Sequence, residues 1–222
     1  MNQEQFPSVA KIRNNVDSQH CLQFAFMAAV ETLGRGLLSV EAAELATGFQ
    51  PGGTWPYTML NWFAEHDFEV RHIENTDFDR FVRDPRSELE AQGLPDETID
   101  LFFEITDFPF ETSALQKAID DTRIELESRL PEASDIIGAL DDGWLPLISL
   151  DAASLAGPGT DEFDGHMLLA TAYEGSLVRL QDPGPPARWD WDVTAEQIVR
   201  SMRIPTPSSG TITLLRNRQR EE

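Results

Sequence analysis

The sequence contains one cysteine, Cys21, and it stands directly before an apolar segment with helical spacing, LQFAFMAAVETL. A thiol works as a nucleophile in its thiolate form, and the positive end of a helix together with an imidazolium neighbour favours that form. Such a neighbour is a histidine whose second ring nitrogen is held by an acceptor, which fixes the tautomer. His166 opens the apolar run HMLLATAY, the chain turns at Glu174 and Gly175 into SLVRL, and Asp182 follows. His166 and Asp182 therefore fall at the two outer ends of one predicted hairpin, where neighbouring antiparallel strands bring side chains close. The three residues together suit acyl chemistry, with Cys21 as nucleophile, His166 as base and Asp182 orienting that base.

Each of these residues alone has a plainer reading. A lone cysteine is commonly a small buried apolar residue, a histidine at the start of a strand a satisfied or surface residue, and an aspartate before proline a turn former. Their joint arrangement is what points to chemistry. His20, next to Cys21, is an alternative base, but adjacent residues at a helix start point in different directions. His66 and His72, near Glu65 and Glu69, match no metal-ligand spacing and read as exposed polar residues on two different elements, so no metal is expected and no cofactor is called for.

The elements that must position the triad follow from periodicity and punctuation. A helix over 21–33 is closed by Gly34 and Gly36, a second covers 39–47 before Gly48, and a third covers 54–66 with Pro56 in its first turn. A strand over 68–73 comes next. The acidic stretch 77–130 reads as helical, with helices over 96–105 and 113–130 separated by turn material around Pro109, and it could be a helical insertion. Short apolar runs at 145–150, 167–173, 176–180 and 211–215 read as strands, and 194–202 as a helix before the last of them.

Composition bounds the setting. A chain of 222 residues with 41% hydrophobic residues has enough material for one sizeable core, and we read 1–222 as a single domain. Thirty-nine acidic residues face 17 basic ones, for a net charge of -22. Phosphate backbones are repelled by such a surface, and there is no glycine-rich phosphate loop or basic aromatic patch, so nucleic acid is excluded as a partner. Lys11 and Lys117 are the only lysines, and the dispersed carboxylates resemble those of cytoplasmic proteins from salt-loving archaea. One cysteine permits no intrachain disulfide, the first 13 residues lack a secretory pattern, and no run reaches the roughly 18 apolar residues of a membrane helix. A cytoplasmic location without membrane insertion is the expectation, and oligomeric state is open.

The stretches DSQHCLQFAFMAAVETL at 17–33 and DGHMLLATAYEGSLVRLQDPG at 164–184 resemble the papain-like cysteine peptidases that process double-glycine bacteriocin leaders, and more closely their free-standing prokaryotic relatives. WPYTMLNWFAEHDFEVRHIEN at 55–75 also looks like these relatives, whereas 77–130 adds little. The resemblance implies an α+β, papain-like fold: an N-terminal helical part headed by the nucleophile helix, then a C-terminal antiparallel sheet carrying His166 and Asp182. It implies a peptide or protein substrate cleaved through an acyl-enzyme. Where the family has a glutamine six residues before the cysteine, this chain has Asn15, whose amide would join the Cys21 N–H in stabilising the oxyanion; losing such a donor costs about 3 kcal/mol of barrier. Gln19 is the other candidate for that role, and Leu22 replaces the family's glycine after the cysteine. The loop 152–164 would border the cleft, with Trp55 or Trp189 as a wall. Two other functions compete. One is acyl transfer to an amine or thiol, as in transglutaminase-like and phytochelatin-synthase-like proteins of related architecture. The other is an inactive peptide-binding module, for which the Asn15 and Leu22 departures speak.

Overall fold

The structure is a computed structural model that describes residues 6, 9–14, 16–157 and 163–218. Its first helix, α1 (Cys21–Thr32), is buried from Leu22 to Val30, all apolar but Gln23, so it threads the interior instead of resting on the surface by one stripe. Helix α2 (Val40–Thr47) begins where the Ser39 side chain accepts from the Ala42 N–H and stops at Gly48. Helix α3 (Tyr57–Glu65) starts just after Pro56, and strand β1 (Phe68–Glu74) follows it. These four elements lie close to where the sequence puts them.

The stretch 75–130 differs from its sequence reading. It holds α4 (Phe78–Arg83), α5 (Pro85–Ala91), α6 (Asp96–Ile105) and α7 (Phe108–Asp120), and then a strand, β2 (Ile124–Ser128). The expected helix over 113–130 is therefore corrected: its second half is extended chain. Pro109 sits in the first turn of α7, where proline's missing N–H has no partner to lose, so the expected turn is a helix start capped by Asp107. Strand β2 lies parallel to β1, pairing Val70 with Ile124 through Glu74 with Ser128. Parallel neighbours cannot be joined by a hairpin, and α4 to α7 form the crossover between them.

The rest of the chain is α8 (Ala133–Asp141), β3 (Leu145–Asp151), α9 (Ala152–Ala156), β4 (Gly165–Glu174), β5 (Leu177–Asp182), β6 (Arg188–Thr194), α10 (Ala195–Met202) and β7 (Thr211–Asn217). Strands β1 to β7 make one sheet in the order β2-β1-β7-β3-β4-β5-β6, antiparallel except for β1 with β2. The β4–β5 connection is the two-residue turn Gly175–Ser176, with Gly175 at φ 61, the conformation that glycine adopts without strain. The fold is α+β as expected, with the Cys21 helix at the head of a helical part and a mostly antiparallel sheet carrying His166 and Asp182.

Alternation along the strands divides the core between the two sheet faces. Leu147, Met167, Leu169 and Leu215 pack with α1, α3 and α7, while Ile148, Leu168, Ala170 and Ile212 pack with α8 and α10. Fully buried large side chains such as Phe26, Phe63 and Phe68 each contribute roughly 1.5–3 kcal/mol. Among the described residues no helix is long and apolar enough to cross a membrane.

Candidate active site

Cys21 is the first residue of α1, and the helix has neither a side-chain N-cap nor an acidic residue in its first turn. The first intrahelical bond is donated by the Phe24 N–H to the His20 carbonyl, so the Cys21 N–H has no helical partner and is available to a ligand. The helix interior is anchored by its own burial. Its N-terminal end opens into a cleft of about 430 Å³ that both Cys21 and His166 line.

His166 is the second residue of β4, and its Nε2 lies 2.7 Å from Asp182 Oδ1, with both side chains buried. Asp182 accepts, so Nε2 carries the proton and Nδ1 is the nitrogen left for Cys21. Burial alone would depress the imidazole, but the hydrogen bond to Asp182 and the interaction with the Cys21 side chain outweigh it and lift His166 to about 10. The same Asp182 oxygen accepts from the Gly184 N–H at 2.7 Å. Gly184 has φ 81, and a Cβ there would stand 2.2 Å from the Ala187 nitrogen. Only glycine fits this position, which is the physical content of the Asp-Pro-Gly segment.

The approach to Cys21 is tied to that same segment by Asn14, a residue that sequence reasoning passed over. Its backbone N–H donates to the Pro183 carbonyl at 2.9 Å, and its side-chain amide donates to the carbonyls of Asp17 and Gly184. Its own oxygen accepts from the Val16 and Asp17 N–H groups. Both ends of the Asn14 amide are thus used within the protein, and the residue positions the loop before the nucleophile. Counting back from the cysteine gives its neighbour Asn15, which lies outside the described residues. Gln19 is exposed and lines the cleft.

His20 does not turn toward Cys21 as an alternative base would. Its ring stacks on Phe49 at 4.2 Å, Nδ1 lies 2.7 Å from Asp17 Oδ1, and Nε2 lies 2.9 Å from Glu44 Oε1. Burial opposes its charge, but the two carboxylates prevail and raise its pKa. His20 is a buried clamp at the helix entrance.

The cleft is lined by Phe163, His166, Cys21, Trp55, Phe102 and Glu74, among others. Trp55 takes the wall position expected of it. Trp189 does not line the cleft: it lies on β6, a strand that sequence reading left unassigned, at the far edge of the sheet. Of the loop 152–164, the first part is α9, Phe163 reaches the cleft, and 158–162 lie outside the described residues. His66 is exposed and stacks on Trp62. His72, expected to be exposed, is fully buried between Thr213 and Glu74. No group of three metal-ligating side chains is assembled among the described residues.

No family model matches the chain, and no curated protein matches its sequence. Among solved structures it is similar to the peptidase domain of Streptococcus ComA, a bifunctional ABC transporter of a quorum-sensing pathway, with 10% identity and a TM-score of 0.46 over 92% of this chain and 96% of that one. It is also similar to a double-glycine motif protease from an AMS/PCAT transporter, solved with its leader peptide, with 9% identity and a TM-score of 0.47 over 97% of each chain.

Proposed function

We propose that the protein is a cysteine-type peptidase, with Cys21 as nucleophile, His166 as its acid and base, and Asp182 orienting His166. The observation that carries this reading is one buried imidazole with Asp182 on one ring nitrogen, lining the same cleft of about 430 Å³ as Cys21, whose side chain helps to raise its pKa. The Cys21 thiolate attacks the carbonyl carbon of the scissile bond. His166 gives its proton to the departing amine, which leaves a thioester on Cys21. The now neutral His166 takes a proton from water, the hydroxide attacks the thioester, and the acid product departs with the thiolate restored.

Charge on the tetrahedral oxygen falls beside the Cys21 N–H at the positive end of α1. Asn15, from the family resemblance, or Gln19, from its place in the cleft, supplies the second donor. Peptides suit the cleft because its walls are largely apolar, with polar groups from the ends of β1, β3, β4 and β7 beside them.

The test is the rate of iodoacetamide alkylation of Cys21 against pH, for the native protein and for His166→Ala. With His166 held charged up to about 10, the native rate should stay on a plateau well below pH 8.5, the usual value of a free thiol, and the variant should lose that plateau. Identical profiles that both rise near pH 8.5 would refute the paired mechanism and favour a binding module without chemistry.

A further inference from the structure

The cleft extends well beyond Cys21, and its far end carries a charge that the triad does not use. Met167, Ser149, Thr211 and Glu74 are successive cross-strand neighbours on β4, β3, β7 and β1, and all four line the cleft. Three strand spacings put Glu74 roughly 14 Å from the strand of His166. Glu74 is held there by its Oε2, which accepts from His72 Nε2 at 3.1 Å and from the Tyr57 hydroxyl at 3.4 Å.

Both donors are completely buried, and both are fixed from behind. His72 Nδ1 meets the Thr213 hydroxyl at 2.9 Å, so both ring nitrogens of His72 are engaged. Burial, reinforced by Glu74, Glu111 and Glu88, holds the Tyr57 hydroxyl well above its usual value, so it remains a donor. Arg80, which reaches one of these acids, Glu88, is also held by Asp77. Glu74 Oε1 has no partner among the described residues and is not a buried orphan, which leaves it facing the cleft. The walls leading to it, Trp55, Leu89, Leu94, Phe102 and Ile105, are apolar.

On the peptidase reading above, we infer that Glu74 is a specificity-determining residue that binds a cationic group of the substrate peptide within about four residues of the scissile bond. An extended chain covers 14 Å in about four residues, and fewer when a lysine or arginine stem supplies part of the reach. Such stems lie well along apolar walls while the charged head reaches an acid. The cation is a basic side chain or the α-ammonium of a free N-terminus, which share this chemistry.

Protection of Cys21 from iodoacetamide measures occupancy of the cleft without requiring turnover. Two pairs of C-terminally amidated alanine heptapeptides serve as probes. The first pair is N-acetylated and carries either arginine or the neutral citrulline at the central position. The second pair is alanine throughout and differs only in having a free or an acetylated N-terminus. In the native protein at 0.15 M salt, the cationic member of at least one pair should protect at a concentration about ten times lower than its neutral partner. The arginine pair reports a side chain and the other pair a terminus. In Glu74→Gln that ratio should fall to about one, each protein being referred to its own peptide-free rate. Thr211→Lys, which sets an ammonium beside Glu74 across the β1–β7 pair, should do the same and serves if the first variant does not fold. The variants also separate Glu74 from the general attraction of a strongly acidic surface for cations. Equal protection by cationic and neutral peptides in the native protein, or a ratio that survives both substitutions, would overturn the inference. Failure of the peptidase reading is seen separately, in the alkylation profile of His166→Ala.

Discussion

Replacing Glu111 by glutamine should stabilise the protein at alkaline pH and leave it nearly unchanged in mild acid. Glu111 lies on α7, is 1% exposed, and accepts from Gln50 Nε2 at 2.6 Å through Oε1, while Oε2 is buried with no partner among the described residues. Burial first, and the nearby Asp107 second, push its carboxyl up to about 8 from an ordinary 4.5. The acid is thus protonated more readily in the folded chain than in the unfolded one. Its contribution is most favourable below about pH 4.5 and is lost as pH rises toward 8, above which the folded state carries a charge without adequate solvation. At about 1.4 kcal/mol per pH unit the gap has a ceiling near 5 kcal/mol, and the gain on removing the charge at pH 9 is on the order of 2–5 kcal/mol. Denaturant unfolding of the native protein and Glu111→Gln at pH 5 and pH 9 gives the comparison. The two should agree within about 1 kcal/mol at pH 5 and separate in favour of the variant at pH 9. Parallel stabilities at both pH values would refute the argument that this carboxylate is charged and poorly solvated above pH 8. The residue matters to the cleft because Gln50 also accepts from the Asp107 N–H, tying the start of α7 to the segment of Gly52, Gly53 and Thr54 that lines it.

Three further outcomes can be measured with little additional material. Asp182→Ala removes the acceptor of both His166 Nε2 and the Gly184 N–H, and should lower the alkylation rate of Cys21 at pH 7 by roughly 10-fold and at most about 30-fold, the thiolate fraction left to a free thiol, with Asp182→Asn losing less; a rate unchanged in a folded Asp182→Ala would count against Asp182 as the orienting group. His20→Ala strands Asp17 and Glu44 at the helix entrance. Since the folded pKa of His20 is raised, its stabilisation is complete below about pH 6.5 and fades as pH rises through the raised value, so the fall in Tm should be larger at pH 6 than at pH 9. A net charge of -22 should make Tm rise between 0.1 and 1 M KCl, as the screening length contracts from about 10 to about 3 Å; a flat response would show that the carboxylates are already compensated by local pairing.

What the sequence discloses about this fold depends on how local the determining forces are. Helix α1 and the β4–β5 hairpin are written in short-range patterns, an unbroken apolar segment and two alternating runs around a glycine turn, and they emerge where expected. Strand β2 is hidden because IELES is short, acidic and half-exposed, and only its parallel partner β1 makes it a strand. The polar cluster of Tyr57, His72, Glu74 and Glu111 is equally hidden, since a buried acid is indistinguishable in sequence from a surface one. Counting residues singled out Asn15, whereas the bonds that join the entrance loop to the Asp182 loop are made by Asn14. Trp55 and Trp189 look alike in sequence, and the sheet order alone separates a cleft wall from an edge strand.

Asn14 closes a very long loop, and that has a consequence for the life of the newly made chain. Cys21 leaves the ribosome roughly 145 residues ahead of His166, a delay on the order of 7–30 s at ordinary rates of synthesis. During that interval Cys21 has neither His166 nor the Pro183 and Gly184 carbonyls that hold the loop before it. Pairing of β4 with β5 brings His166 and Asp182 together, so the nascent protein carries Cys21 without these two neighbours until that late part of the chain is made.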